Sequence, residues 1–264
     1  LVSAPPKPYT EAEAKQHLAD FRNAWLLSGL GMSFDFVHFP RHAAETRFAG
    51  IGWASSDKNG LVTRFELSKP TADKTAKPEV WEWLLQNGAS PHVWVLAPGA
   101  TAATEVPKDK WRTPMLPGLI YTPFDLMMPF LYWTDYQYNG TDRILGRGVE
   151  IYTMLPPPDE KAGGLCTVKL FIDPGLGDAG ALVRMQQLDA KGGVALQFDL
   201  GHVKEVDDQW MFEDCELLNK VTDDYDQFVV KAVALKLTLD PALFQPANLT
   251  KPVPMPPESA WHSM

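Results

Sequence analysis

Short segments in which apolar and polar residues alternate recur along most of this chain. In residues 194–203, for example, Leu196 and Phe198 alternate with Ala195, Gln197 and Asp199. A period of two places the two sets of side chains on opposite faces of a β-strand. About ten or eleven such segments, separated by turn residues, predict a large antiparallel sheet or barrel. The predicted strands include residues 32–39, 47–55, 61–68, 92–97, 143–155, 166–173, 194–203, 209–218 and 228–240.

Three segments have the pattern of helices instead. Residues 10–28 begin with a capping box, Thr10 with Glu13, and a second helix is predicted over residues 78–85, closed by Asn87-Gly88. The apolar side of the first helix would carry Ala14, Leu18, Phe21 and Trp25, and that of the second Val80, Trp81, Leu84 and Leu85.

The third helix lies in an apolar segment at the middle of the chain. Thr122 and Asp125 form a capping box there, and Pro123 suits the first helical position. The following side chains are apolar on nearly every side: Phe124, Leu126, Met127, Met128, Phe130 and Leu131. Pro129 disfavours helical backbone at Met128 and so predicts a break. The segment is either a buried core helix or a movable lid over an apolar cavity, and methionine suits a lid because it packs against varied shapes.

Charge and composition limit the partners. The net charge of −9 over 264 residues argues against nucleic acid and anionic membrane surfaces. No apolar run is long enough for a transmembrane helix, so stable membrane insertion is not expected. We expect one domain over residues 1–250 and a Pro-rich tail over 251–264 that carries no core. The Pro-rich beginning fits a mature chain cut after a signal peptide, which makes export an inference.

Few residues have the spacing of a chemical site. The motif Gly175-x-Gly177-x-x-Gly180 follows a strand, but its flanks have the pattern of a meander, which favours a hairpin loop over nucleotide binding. Pro40 keeps His38 and His42 off one helical face. The remaining acidic group lacks the spacing of a calcium loop: Asp223, Asp224 and Asp226. We therefore expect no catalytic residue, no metal and no cofactor.

Two other features leave alternatives open. Cys166 and Cys215 both lie in predicted strands, and they form either an inter-strand disulfide or two buried thiols. Asn139-Gly140 has the composition of a hairpin turn.

The second half of the chain resembles the family of outer-membrane lipoprotein-sorting proteins, best over residues 115–249. The motifs that carry the resemblance are Tyr136-x-Tyr138-Asn139-Gly140, Leu145-Gly146-Arg147, Ile151-Tyr152, Pro156, Phe171-Ile172-Asp173, Leu182-Val183-Arg184-Met185, Asp189-Ala190-Lys191-Gly192-Gly193, Trp210 and Leu239-Asp240-x-x-Leu243-Phe244-x-Pro246-x-x-Leu249.

This resemblance implies a LolA-like fold: α+β and mainly β, a curved antiparallel half-open barrel with helices that cover its mouth. It also implies a carrier that holds acyl chains in the barrel and passes them through the cell envelope. Carriers of this kind use an arginine on an early strand to hold the lid shut, and the candidates here are Arg47 and Arg64.

The leading hypothesis is therefore a non-enzymatic carrier of the periplasm or cell envelope. Its ligand would be lipoprotein acyl chains, lipid or another apolar group, bound by Phe34, Phe36, Trp53, Phe65, Phe124, Leu126, Met127, Met128, Phe130 and Leu131. The alternative is an envelope interaction module with a filled core that partners an export or assembly complex. A nucleotide-dependent enzyme using the glycine loop is a third hypothesis, which a meander would disfavour.

Overall fold

The computed structural model describes residues 7–24, 29–69, 77–88, 90–144, 146–162, 167–177 and 179–264. These residues form sixteen strands and three α-helices. The helices are α1 (Glu11–Asn23), α2 (Pro123–Met127) and α3 (Pro158–Ala162). None of the helices in these ranges is long and apolar enough to cross a membrane.

The strands outnumber the predicted set because the predicted strands 194–203 and 209–218 are each interrupted, and because the segment predicted as the second helix is also a strand. They are β1 (Gly29–Phe39), β2 (Thr46–Asp57), β3 (Gly60–Lys69), β4 (Glu79–Gln86), β5 (His92–Leu96), β6 (Thr104–Glu105), β7 (Tyr136–Ile144), β8 (Arg147–Met154), β9 (Thr167–Asp173), β10 (Ala181–Leu188), β11 (Val194–Leu200), β12 (Val203–Val206), β13 (Gln209–Phe212), β14 (Asp214–Asn219), β15 (Tyr225–Leu237) and β16 (His262–Ser263).

The chain divides into two compact units. Unit 1 comprises Leu1–Trp25 with Phe130–Asp223, and unit 2 comprises Leu26–Pro129 with Asp224–Met264. In unit 2 the strand order is β6-β5-β4-β3-β2-β1-β15, and β16 also pairs with β15. In unit 1 the order is β14-β11-β10-β9-β8-β7, and β12 pairs with β13. All of these pairings are antiparallel, as the alternation predicted.

The first helix begins as predicted. The Thr10 side chain accepts a hydrogen bond from the Glu13 N–H, and the Glu13 carboxylate accepts one from Thr10. Ala14, Leu18 and Phe21 are buried. The helix ends at Asn23, which is earlier than predicted, and Trp25 lies outside the described residues.

The predicted helix at residues 78–85 is wrong, because this segment is strand β4 between β3 and β5. Both faces of β4 are covered, so the three consecutive side chains Trp83, Leu84 and Leu85 are all buried. A strand buried on both faces loses its alternation, and its apolar residues then match a helical spacing by chance.

The strand register explains the structures that two glycine motifs adopt. Asn139-Gly140 is not a hairpin turn: it lies inside β7, at a register shift between Tyr138 and Thr141, with Gly140 at φ 85°. An extra residue in a strand forms a bulge, for which a left-handed glycine is well suited. The glycine-rich stretch after Asp173 joins antiparallel strands β9 and β10, which confirms the hairpin loop.

The C-terminal tail takes part in the core of unit 2, contrary to expectation. Val253 is 7% exposed, and His262 and Ser263 pair with Val233 and Ala232 of β15. Residues Pro241–Phe244 form a 3-10 helix. Cys215 is buried, whereas Cys166 lies outside the described residues.

Candidate functional site

The apolar middle segment has the local structure that its sequence predicted. Thr122 caps α2 through a complete capping box with Asp125, and Pro123 occupies the first turn. Met128 ends the helix in the left-handed region at φ 50°, and a 3-10 helix follows at Pro129–Tyr132. The break at the Met128–Pro129 step is therefore confirmed. Most of its apolar side chains are at most 3% exposed: Phe124, Met127, Phe130 and Leu131.

Within unit 2, hydrogen bonds to the backbone of this segment hold it at several points. The Phe124 N–H donates to the Trp111 carbonyl at 3.0 Å. The Asn87 side-chain amide donates to the Met127 carbonyl at the other end of α2. Asn87 was interpreted as a helix-ending residue, but it follows β4 and reaches forty positions along the chain.

A buried carboxylate provides the third fastening. Asp226, at 0% exposure, accepts hydrogen bonds on Oδ2 from the N–H groups of Ile120 and Tyr121, at 2.5 and 2.9 Å. Its Oδ1 lies 2.7 Å from His38 Nδ1. Burial raises the pKa of Asp226, while the bonds from Tyr121, His38 and Ile120 oppose that rise. Asp226 thus holds the backbone just before α2 in place. In the sequence it is one of several neighbouring acidic residues, so this role was not predicted.

One face of the unit 2 sheet carries most of the predicted aromatic site. The register places Phe36 opposite Phe48 on β2 and opposite Phe228 on β15, and it places Phe65 opposite Gly52. Because alternate residues share a face, these positions lie on the same side as Phe34. We call this side the aromatic face, defined by Phe34, Phe36, Phe48, Phe65 and Phe228.

The rings of the aromatic face contact one another. Phe34 lies 4.6 Å from Phe228 and 6.4 Å from Phe65, measured between ring centroids. Phe36 lies 4.7 Å from Phe228 and 4.9 Å from Tyr121, which directly precedes Thr122. The aromatic face and the segment before α2 therefore pack together within unit 2.

Trp53 does not belong to this face. It pairs with Arg64 on β3, one position out of phase with Phe65, and so it points to the opposite side of the sheet. Val62, Leu84 and Leu96 form a buried cluster with Leu249 of the C-terminal segment, and their positions in the register place them on the side of Trp53. The predicted apolar site is thus split between the two faces of one sheet.

Arg64 is fully buried at 0% exposure and fastens the C-terminal segment. Its guanidinium donates to Glu82 at 2.5 Å and to the carbonyls of Leu249 at 3.1 Å and Lys251 at 2.7 Å. Further donations go to the carbonyls of Leu243 and Asn248. None of these bonds reaches residues 122–131, so Arg64 holds the C-terminal segment and not the middle one. Burial raises the pKa of Glu82, and the hydrogen bond from Arg64 opposes this rise.

The other latch candidate has a different role. Arg47 is half-exposed and pairs with Asp35 at 2.8 Å, and Lys231 reaches the same carboxylate. Asp35 is 1% exposed although it carries a carboxylate. Its two cationic partners lie on the neighbouring strands β2 and β15, which the sequence of β1 alone could not indicate.

The remaining predicted residues lie where the chain passes from unit 2 to unit 1, at Pro129 and Phe130. Leu126 and Met128 are partly buried, and Phe130 and Leu131 belong to unit 1. Unit 1 has a surface pocket of about 300 Å³, and none of the predicted ligand-binding residues lines it. Its lining is Tyr132, Trp133, Thr134, Asp135, Leu155, Pro157 and Pro158.

Unit 1 also contains a buried polar cluster that the sequence did not reveal. Glu150, 1% exposed, accepts a hydrogen bond from the Tyr152 hydroxyl at 2.7 Å and lies 3.0 Å from His17 on α1. Burial raises the pKa of Tyr152, and the bond to Glu150 adds to the rise. The Tyr152 hydroxyl also lies 3.1 Å from the Ala14 carbonyl, so the cluster anchors α1 on β8. Within the described residues, no group of acidic, histidine and cysteine side chains could hold a metal ion.

Glycine at position 50 makes the close packing of the aromatic face possible. A Cβ on Gly50 would lie 2.2 Å from a ring carbon of Phe34. We therefore expect Gly50→Ala to displace this ring and to lower the free energy of unfolding by about 1–3 kcal/mol. Gly99→Ala serves as the control for urea denaturation, because a Cβ there meets nothing within 4 Å, and it carries only its left-handed backbone cost. A Gly50→Ala protein as stable as the wild type would contradict this packing.

Comparison with solved structures gives the fold. A DUF1329 family protein from Desulfovibrio piger has 12% identity and a TM-score of 0.71, covering 90% of this chain and 98% of that one. A domain described as an outer membrane lipoprotein-sorting protein domain, from Vibrio parahaemolyticus, has 11% identity and a TM-score of 0.73, with coverage of 90% and 97%. A LolA superfamily protein from Nitrosomonas europaea has 9% identity and a TM-score of 0.64, with coverage of 88% and 97%.

No protein-family model and no curated protein matches the sequence. At these identities the likeness to solved structures bears on architecture alone. It confirms the fold that the motifs of the second half implied, with a mainly β, antiparallel architecture over nearly the whole chain. This protein therefore has the LolA-like fold.

Proposed function

We propose that this protein is a non-enzymatic carrier of the periplasm or cell envelope that holds an apolar ligand. The ligand class is lipoprotein acyl chains or another lipid, and the binding surface is the aromatic face of unit 2 together with α2. The observation that carries the proposal is the contact of this face with Tyr121, which directly precedes a capped, apolar, proline-interrupted segment. The likeness in fold to a lipoprotein-sorting domain supports it.

The way in which the segment is fastened suits a lid. Its fixed points in unit 2 are the Trp111 carbonyl, the Asn87 amide and the Asp226 carboxylate. A few hydrogen bonds of about 1 kcal/mol net each can be exchanged for bonds to water when the segment moves. The left-handed Met128 marks where the helical backbone ends, and so offers a hinge.

The driving force for binding would be burial of methylene groups. Each buried CH₂ contributes about 0.8 kcal/mol, so a long acyl chain gains enough to separate aromatic rings that now contact one another. Phenylalanine and methionine side chains can adapt to such a ligand. They have no polar group that an acyl chain would leave without a hydrogen-bond partner. Ligand entry would then open space on the aromatic face, where Phe34 now lies over Gly50.

A fluorescent fatty-acid probe tests the proposal. We expect the purified protein to bind the probe and Met127→Asp to weaken binding by about tenfold or more, because a carboxylate at a site 3% exposed must be desolvated. Met255→Asp is the matched control, since Met255 is 56% exposed, and Met127→Leu should bind as the wild type does. Absence of binding over a range of chain lengths would count against a carrier.

A second candidate function is a protein-interaction module with a filled core. The ring contacts among Phe34, Phe36 and Phe228 favour it, since they fill the face where the ligand would bind. Under this hypothesis the partner is an export or assembly complex of the envelope, and no lipid enters. The probe experiment separates the two functions directly.

A further inference from the structure

The hairpin of β12 and β13 carries an exposed tryptophan. Trp210 is 50% exposed, whereas most large apolar side chains in the described part of unit 1 are buried. The pairing of Leu200 with Cys215 and of Val203 with Phe212 keeps one register, so β12–β13 prolongs the β11–β14 hairpin. Strand β10 pairs with β11 only as far as Asp199. Residues 201–214 therefore extend beyond the end of β10, and we call them the arm.

The arm has a defined local structure that presents the indole. Asp207 and Asp208 form its turn with φ of 49° and 63°. A two-residue turn with both residues in the left-handed region matches the twist of a hairpin. Gly201 approaches Asp214 too closely for any Cβ, and its N–H donates to the Asp214 carbonyl at 3.0 Å. The arm is thus built as a regular ribbon and not as a loose loop.

The charge of the arm limits what it can contact. Residues 202–214 contain five carboxylates and one lysine. Glu205 lies opposite Trp210 in the register, and Glu205, Asp207 and Asp208 are exposed. An anionic lipid surface would repel these carboxylates, whereas a cationic protein surface would complement them.

We propose that the arm is a docking element for a protein partner with a basic surface, and that the indole of Trp210 enters an apolar slot on this partner. Tryptophan is the side chain most enriched among residues that dominate binding energy, and surrounding charges steer association. The arm belongs to unit 1, whereas the aromatic face belongs to unit 2. Docking through the arm therefore stands with or without a bound lipid.

Selection from a library of displayed random peptides tests this inference without a known partner. The full chain is immobilised as one target, and the Trp210→Ala variant is immobilised as a second target for a parallel selection. Peptides enriched only on the wild type are then synthesised and titrated by fluorescence anisotropy at two salt concentrations. The charge variant is Asp207→Asn with Asp208→Asn, since asparagine also tolerates left-handed backbone. Val221→Ala and Asp109→Asn are controls, because they change exposed residues outside the arm.

We expect the enriched peptides to combine lysine or arginine with an adjacent large apolar residue. Their affinity should fall about tenfold for Trp210→Ala, should fall with the charge variant and with added salt, and should stay within about twofold for the two controls. Equal enrichment on Trp210→Ala, selection of acidic peptides, or insensitivity to charge would overturn the proposal. Trp210-dependent binding to phosphatidylglycerol vesicles, or Trp210-dependent dimers in sedimentation, would overturn it in favour of a membrane or a second copy.

Discussion

Replacing Arg64 by methionine is expected to lower the free energy of unfolding by about 3–5 kcal/mol, the largest effect of a single substitution that the structure predicts. Arg64 is fully buried, and its guanidinium serves Glu82 and four backbone carbonyls. Methionine fills much of the volume but removes the guanidinium donor from Glu82 and from the carbonyls of Leu243, Leu249 and Lys251. The Asn248 carbonyl keeps the Lys251 N–H as a donor. Urea denaturation followed by far-UV circular dichroism measures the loss.

Arg47→Met is the matched control for this substitution. Arg47 is half-exposed, and Lys231 remains to pair with Asp35 when it is removed. Solvent around the half-exposed Arg47 limits its contribution to about 1 kcal/mol, and Lys231 keeps the buried Asp35 paired, so the Arg47 variant should stay close to the wild type. Equal losses in the free energy of unfolding for Arg47→Met and Arg64→Met would contradict the claim that burial makes Arg64 the more important of the two.

The pH dependence of the Arg64→Met variant has a definite sign. Burial raises the pKa of Glu82 even with Arg64 present, and loss of the arginine raises it further. The folded variant then binds a proton more tightly than the unfolded chain does, so its stability increases as the pH falls through that raised pKa. The stability deficit of the variant should therefore shrink from neutral to mildly acidic pH.

Replacing Asp226 by leucine is expected to release the backbone before α2 and to cost about 2–4 kcal/mol. The N–H groups of Ile120 and Tyr121 lose their acceptor in a site at 0% exposure, and each unpaired buried donor costs about 1–3 kcal/mol. Hydrogen exchange should show lost protection at Ile120 and Tyr121, with Leu170 of β9 unchanged. Asp224→Ala removes an exposed acceptor for the Arg41 N–H and should change stability by less than about 1 kcal/mol. Retained protection at both amides would show that other contacts hold the segment.

Local signals in the sequence predicted much of this structure. The capping boxes at Thr10 and Thr122 and the break before Pro129 all depend on neighbours within a few residues. Such short-range physics can be read along the chain. The alternation of apolar residues also identified most strands and the antiparallel architecture.

Long-range pairing explains what the sequence could not predict. Arg64 binds carbonyls as many as 187 positions away, and Asp226 caps amides more than one hundred positions away. Strand β4 was assigned as a helix because its two covered faces remove the alternation that marks an ordinary strand. Trp53 and Phe65 were grouped by type, but the register of β2 and β3 places them on opposite faces. Apolar composition identifies core residues without indicating which face they share.

Native mass spectrometry of the protein purified from cells without detergent tests the carrier role most directly. The account predicts a population with an added lipid mass, released on denaturation and diminished in Met127→Asp but not in Met255→Asp. A single unliganded mass in every preparation, together with no uptake of acyl-chain probes, would contradict the carrier role. The protein-interaction module would then be the better-supported function of this protein.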